Sequence, residues 1–191
     1  MNKIVSNKSK IEYFDTMNSY SYEELGKFIV SLLPKEELMN YTPIILCIGT
    51  DRATGDCLGP LVGEQLINYD SRFTVMGCLQ APVHALNIRE TIYSINTEIE
   101  NPFIIAVDAS LGLVSHVGYI TVSNEPILPG KGVNKRLPAI GDVSITGIVN
   151  VSGQSPGLLQ STRLYTVVQL ANCIADALKY AIDYLDDFCP L

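Results

Sequence analysis

Thr42-Pro-Ile-Ile-Leu-Cys-Ile-Gly-Thr-Asp-Arg-Ala-Thr-Gly-Asp-Cys-Leu-Gly-Pro-Leu-Val62 is the stretch whose reading decides the fold. Pro43 to Ile48 is a continuous apolar run rich in branched side chains, the pattern of a strand buried on both faces of a parallel sheet. Gly49, Gly55 and Gly59 interrupt the run, and Pro60 stands where a helix takes its first residue, so the chain turns sharply and re-enters as a helix. Asp51 and Asp56 are thereby held on a strand-to-helix loop, the place where open α/β sheets carry their chemistry.

On the N-terminal side, residues 1–19 lack periodicity and read as an arm that is mobile or draped on the surface. Ser21 to Leu33 reads as a helix: Ser21 and Glu24 have capping-box spacing, Leu25, Phe28, Ile29 and Leu32 form one stripe, and Pro34 ends it. On the C-terminal side, Leu58 to Tyr69 is amphipathic, Phe73 to Cys78 alternates as a strand, and His84 to Ile95 has a helical stripe. Pro102 to Val107 is a third apolar strand and ends in Asp108. Val117 to Val122 and Val143 to Val151 read as two more strands, separated by a loop, Ser123 to Asp142, too long to be a mere connector. Pro156 to Phe188 carries helical spacing throughout, with Ser155 as its cap. No repeat or linker interrupts the chain. The expected architecture is a single three-layer α/β/α domain over residues 20–191, with a doubly wound, mostly parallel five-stranded sheet.

Thirteen basic against 20 acidic residues give a net charge of −7, which repels phosphate backbones and argues against nucleic-acid binding. The five cysteines show neither Cys-x-x-Cys nor metal-ligand spacing, so a reduced, cytoplasmic setting is expected. Met1 to Lys10 has charge but no apolar segment behind it, unlike a signal peptide, and no uninterrupted apolar run reaches membrane-spanning length.

Strand-helix-strand-helix-strand implies right-handed crossovers, and in the order 2-1-3-4-5 the first and third strands are neighbours with a crevice at their carboxyl ends. Asp56 follows the first of these and Asp108 ends the third, so residues 52 apart in sequence meet at one switch point. Two carboxylates brought together do not both ionise easily; one pKa rises, giving an acid and a base able to activate water. Asp56 as a helix cap and Asp108 as a strand-end partner of loop amides are the structural alternatives.

Gly153-Gln-Ser155-Pro-Gly157 matches Gly-x-Ser-x-Gly, yet the residue after the serine, Pro156, has no N–H for an oxyanion hole and no histidine follows. Gly49 to Gly59 is neither a dinucleotide nor a phosphate fingerprint, and no cofactor is assigned. Cys57 has no histidine or lysine nearby in sequence to activate it as a thiolate. Lys131, Asn134, Lys135 and Arg136 lie in a Gly-rich loop whose cations suit the C-terminal or acidic part of a peptide, or form a solvated basic loop.

Cys47-Ile-Gly-Thr-Asp-Arg-Ala-Thr-Gly-Asp56-Cys-Leu-Gly-Pro60, Ile104-Ile-Ala-Val-Asp108-Ala and Pro129-Gly-Lys-Gly-Val-Asn-Lys-Arg136 together closely resemble the sporulation protein YyaC family. That family is similar in turn to the spore germination protease and, more remotely, to hydrogenase maturation proteases. The resemblance implies an α/β/α endopeptidase-like domain in the forespore or mother cell of a spore-forming bacterium, with Asp56 and Asp108 as the essential pair. Small spore proteins are the substrates of the germination protease, which makes a peptide or protein the expected partner. Hydrogenase maturation proteases add a histidine beyond the second acidic residue. Here the only histidines are His84, before Asp108, and His116, eight residues after it, so no metal ligand is assigned. His116 reads as a surface loop residue.

The reading reached is a peptidase of spore formation or germination. Asp56 and Asp108 are catalytic, and Asp51, Arg52, His84, Lys131, Asn134 and Arg136 bind substrate. A non-catalytic sporulation factor that binds a peptide or protein in the same crevice is the alternative.

Overall fold

The structure, a computed structural model, describes residues 10–16, 21–34, 40–129, 138–153 and 157–188. In chain order its elements are β1 (Ile11–Asp15), α1 (Ser21–Leu32), β2 (Thr42–Cys47), α2 (Leu58–Leu66), β3 (Thr74–Met76), α3 (Ile88–Glu98), β4 (Pro102–Gly112), β5 (Tyr119–Ser123), β6 (Val143–Val151) and α4 (Leu164–Phe188). The strands form one sheet in the order β1-β5-β6-β4-β2-β3. β2 pairs in parallel with β3 and β4, and β4 pairs in parallel with β6; β5 and β1 complete the sheet antiparallel.

β2 is central because it has no polar face to give to water. Ile44, Ile45, Leu46 and Cys47 are all fully buried, with alternate residues in two separate cores. Ile45 and Cys47 join the larger core with Ile105 and Val107 of β4, against α1, α2 and α4. Ile44 and Leu46 join the smaller one with Ala106, Ile88 and Ile95, against α3. Among the described residues the layers are therefore helix, sheet, helix, with α1, α2 and α4 on one face and α3 on the other. α4 closes the larger side with Val167, Leu170, Ala171, Ile174, Leu178, Ile182 and Leu185, a stripe at helical spacing.

Three expectations change. Among the described residues the sheet has six strands rather than five, because Ile11–Asp15, within the stretch read as an arm, pairs along its whole length with β5. Phe14 anchors it by packing its ring 5.7 Å from Phe28 of α1. The last two strands also exchange places: β6 lies beside β4, and β5 lies beyond it. β4 then runs on past Asp108 to Gly112, since β6 offers it pairing partners through Val151. Finally, the C-terminal helix begins at Leu164, not Pro156. The turn before it is used elsewhere: Leu159 C=O accepts from Gly55 N–H at 2.7 Å, and Leu158 C=O from the Asn150 amide at 2.9 Å. Ser155 and Pro156 lie outside the described residues.

Candidate active site

The loop between β2 and α2 is folded tightly over the end of β2. Gly49 has φ 143°, and a Cβ there would stand 1.9 Å from the Asp56 carbonyl oxygen. A Cβ on Gly59 would stand 2.1 Å from the Ile48 carbonyl. Both positions thus require glycine, one for its backbone angle and both for close approach. The Thr50 N–H donates to the Asp56 carbonyl at 3.0 Å, and a short 3₁₀ turn, Thr54–Cys57, carries Asp56.

The register of β2 on β4 places Cys47 opposite Val107, and the Ile48 N–H donates to the Val107 carbonyl at 2.7 Å. Asp108 is the next residue. Alternation along β4 turns Val107 into the larger core and Asp108 to the other face, on the side of α3. Its carboxylate accepts the Ala109 N–H at 2.8 Å.

The two carboxyls feel each other. Burial pushes the Asp108 carboxyl up to about 8, and the negative charge of Asp56 adds to the rise, against the Ala109 hydrogen bond. Asp56 is raised as well, chiefly by burial, while the Thr50 amide and His84 pull it back down. With its carboxyl at about 8, Asp108 keeps its proton at neutral pH, close enough to Asp56 to feel that residue's charge.

His84 sits on the turn leading into α3, which starts four residues later than its stripe predicted. The Asn87 side chain accepts the His84 N–H at 2.8 Å, and His84 Nδ1 accepts the Leu86 N–H at 3.3 Å. With Nδ1 so used, the ring proton of the neutral form belongs on Nε2. Asp51 and Arg52 are exposed beside Asp56; the Arg52 N–H donates to Thr50 Oγ1 at 3.3 Å. Lys131, Asn134 and Arg136 lie outside the described residues, as does Lys135. The Cys57 thiol donates to the Thr54 carbonyl at 2.9 Å, and burial raises its pKa, so it is a protonated packing group at neutral pH. Among the described residues, no group of three or more His, Cys, Asp or Glu side chains is placed to hold a metal ion.

Polar neighbours of Asp108 also emerge that the sequence reading did not single out. Ser110 shares its face of β4, and Thr146 of β6 is its register partner. The Ser110 hydroxyl reaches Thr146 Oγ1 at 3.4 Å, and Thr146 and Thr121 share a hydrogen bond of 2.6 Å. The two-residue period of a strand would have flagged Ser110; Thr146 faces Asp108 only because β6, not β5, takes the place beside β4. His116 is not a free loop residue: its ring lies 5.3 Å from Tyr13 and 5.5 Å from Tyr119.

No helix of the described residues is long and apolar enough to cross a membrane. Compared with known proteins, the chain is 50% identical over 138 residues to the uncharacterized protein YyaC of Bacillus subtilis (strain 168), covering 71% of this chain and 67% of that one. Among solved structures it is similar to the [NiFe] hydrogenase maturation protease HycI from Thermococcus kodakarensis KOD1, with 19% identity and a TM-score of 0.44 over 76% of this chain and 97% of that one. Residues 13–177 match the family described as "Protein of unknown function (DUF1256)", and the chain belongs to that family.

Proposed function

We propose that the protein is a peptidase-like hydrolase in which Asp56 and Asp108 activate a water molecule against a peptide carbonyl. The observation that carries this reading is the Asp108 carboxyl, kept protonated near neutrality by burial and by the charge of Asp56. Asp56, eased toward its ionised form by His84 and the Thr50 amide, takes a proton from water as the oxygen attacks the carbonyl carbon. Asp108 gives its proton to the carbonyl oxygen, which leaves a neutral gem-diol. Asp56 then passes the proton it took to the amide nitrogen, the C–N bond breaks, and Asp108 recovers a proton from the diol hydroxyl. Atoms and charge balance, and the pair returns to its starting state.

In this reading Asp51, Arg52 and His84 line the pocket, and Lys131, Asn134 and Arg136 also bind substrate. The partner is a peptide or protein, with small spore proteins as the first class to try; the setting is the cytoplasm of a forespore or mother cell. Kinship with a Bacillus subtilis protein supports that setting, and the net charge of −7 supports a partner that is not a nucleic acid.

The test is incubation with spore extract followed by mass spectrometry of new peptide termini. The wild type generates termini that are missing with Asp56→Asn and with Asp108→Asn. Undiminished cleavage by either variant refutes the mechanism. Saturable binding of a partner with no new termini would favour the non-catalytic alternative.

A further inference from the structure

The register of three successive strand pairs sets four residues in one row across the sheet. Asp108 of β4 faces Thr146 of β6, Thr146 faces Thr121 of β5, and Thr121 faces Tyr13 of β1. Partners in register point to the same side. Their sequence neighbours Val107, Ile145, Val122 and Phe14 are all in the larger core, so the row is on the opposite face. On that face α3 covers the β2 side, with Ile88 and Ile95 packed on Ile44, Leu46 and Ala106. Thr146 and Thr121 are partly exposed and Tyr13 is 52% exposed.

We infer that this row is the floor of a substrate track, along which an extended peptide crosses the strands from the Asp56–Asp108 pair and places an aromatic side chain against Tyr13 and His116. The inference rests on the hydrolase reading for what happens at one end and names what is recognised at the other.

Three features carry it. First, the row is continuous with the candidate site, because Asp108 is its first member. Second, the floor is made of hydroxyls. A peptide lying across strands finds their backbone groups already paired, so side chains must supply its polar contacts. Within the trio of Ser110, Thr146 and Thr121 the hydrogen bonds run from hydroxyl to hydroxyl, or from Ser110 to the Gly147 carbonyl at 3.4 Å, and each way of arranging them leaves one Thr O–H to donate outward. Third, the far end is aromatic: Tyr13, His116 and Tyr119 form a group of mutually tilted rings at the sheet edge, with Ile11 half exposed beside it. Such rings favour another aromatic side chain in offset or edge contact. Three strand spacings of about 4.8 Å make a track of roughly 14 Å, which an extended chain spans in about four residues. The track therefore reads an aromatic residue about four positions from the bond at the carboxylates.

The chain has no tryptophan, so Tyr13→Trp installs a single indole at the end of the track. The variant is made together with Asp108→Asn, which removes turnover, and is titrated with two pools of capped decapeptides, one with Phe at a fixed central position and one with Ala there, all other positions randomised. The indole emission shifts saturably with the Phe pool, and the Ala pool binds at least about fivefold more weakly. Adding Thr121→Val weakens the Phe pool about fivefold by removing one hydrogen bond. Equal responses to the two pools, or none, overturn the track. His116→Ala with Tyr13 intact gives a second readout: against the same pools it loses the Phe preference in cleavage while the bond cut stays the same, and an unchanged profile again overturns the track. The two readings fail separately. A saturable indole response without any wild-type cleavage sinks hydrolysis alone, and cleavage abolished by Asp108→Asn with a silent indole sinks the track alone.

Discussion

Replacing Asp108 by asparagine makes the protein more stable in alkaline solution. In the folded chain the Asp108 carboxyl is pushed from the ordinary 3.8 to about 8, so between these values the folded state holds a proton that the unfolded state has released. Stability therefore falls as pH rises through that window and levels off above it. At ~1.4 kcal/mol per pH unit the ceiling on the loss is roughly 6 kcal/mol. Partial exposure of Asp108 and sharing of the proton with Asp56 bring the expected figure nearer 2 or 3 kcal/mol. Asparagine keeps the shape and accepts the Ala109 N–H without titrating. Urea unfolding of the wild type and Asp108→Asn at pH 5, 7 and 9 measures the difference. The variant's midpoint gains little at pH 5 and about 1 M at pH 9, for a slope of ~2 kcal/mol per M. A gain that is the same at all three pH values, or a variant less stable than wild type at pH 9, refutes the reasoning. A residue that destabilises the fold at working pH is one retained for something other than folding.

Cleavage itself follows the same proton. The rate falls as pH rises through about 8, because Asp108 then arrives without the proton it must give, and the acid limb lies above the ordinary aspartate range because Asp56 is also raised. At pH 7, Asp56→Asn and Asp108→Asn each lower kcat/KM by roughly 10² or more, read by the appearance of new termini. Gly49→Ala forces a methyl group into the Asp56 carbonyl 1.9 Å away at φ 143°, so it costs on the order of 3 kcal/mol or prevents folding, as thermal unfolding would show. Phe14→Ala removes the ring that holds β1 on α1; it costs about 3 kcal/mol and speeds amide exchange across Ile11–Asp15 more than in β2.

Much of this was legible in the sequence where burial and chain order agree. Pro43 to Ile48 reads as central because both its faces are apolar, and the glycines after it mark close approaches that the fold indeed contains. The neighbourhood of β2 and β4 followed from the crossover rule. β1 was hidden because only Phe14 of its five residues is buried; an edge strand with one anchor has no alternating pattern to read. The exchange of β5 and β6 was hidden for a different reason. Both strands carry core residues on one face and two hydroxyl residues on the other, Thr121 and Ser123 or Ser144 and Thr146, so either suits the place beside β4, and the choice depends on pairing that no local pattern records. The hydroxyls around Asp108 were lost with that choice. The late start of α4 is a case of tertiary demand overriding periodicity, since residues 157–162 serve the loop that carries Asp56.

The central claim is that two aspartates distant in sequence share one proton. Carbon-13 NMR of the side-chain carboxyls, titrated from pH 3 to 10 in the wild type and in Asp56→Asn, tests it most directly. The account predicts that Asp108 titrates near 8 in the wild type and moves down once the charge at position 56 is gone. Two carboxyls titrating independently near 4, with Asp108 unmoved by the substitution, would contradict it.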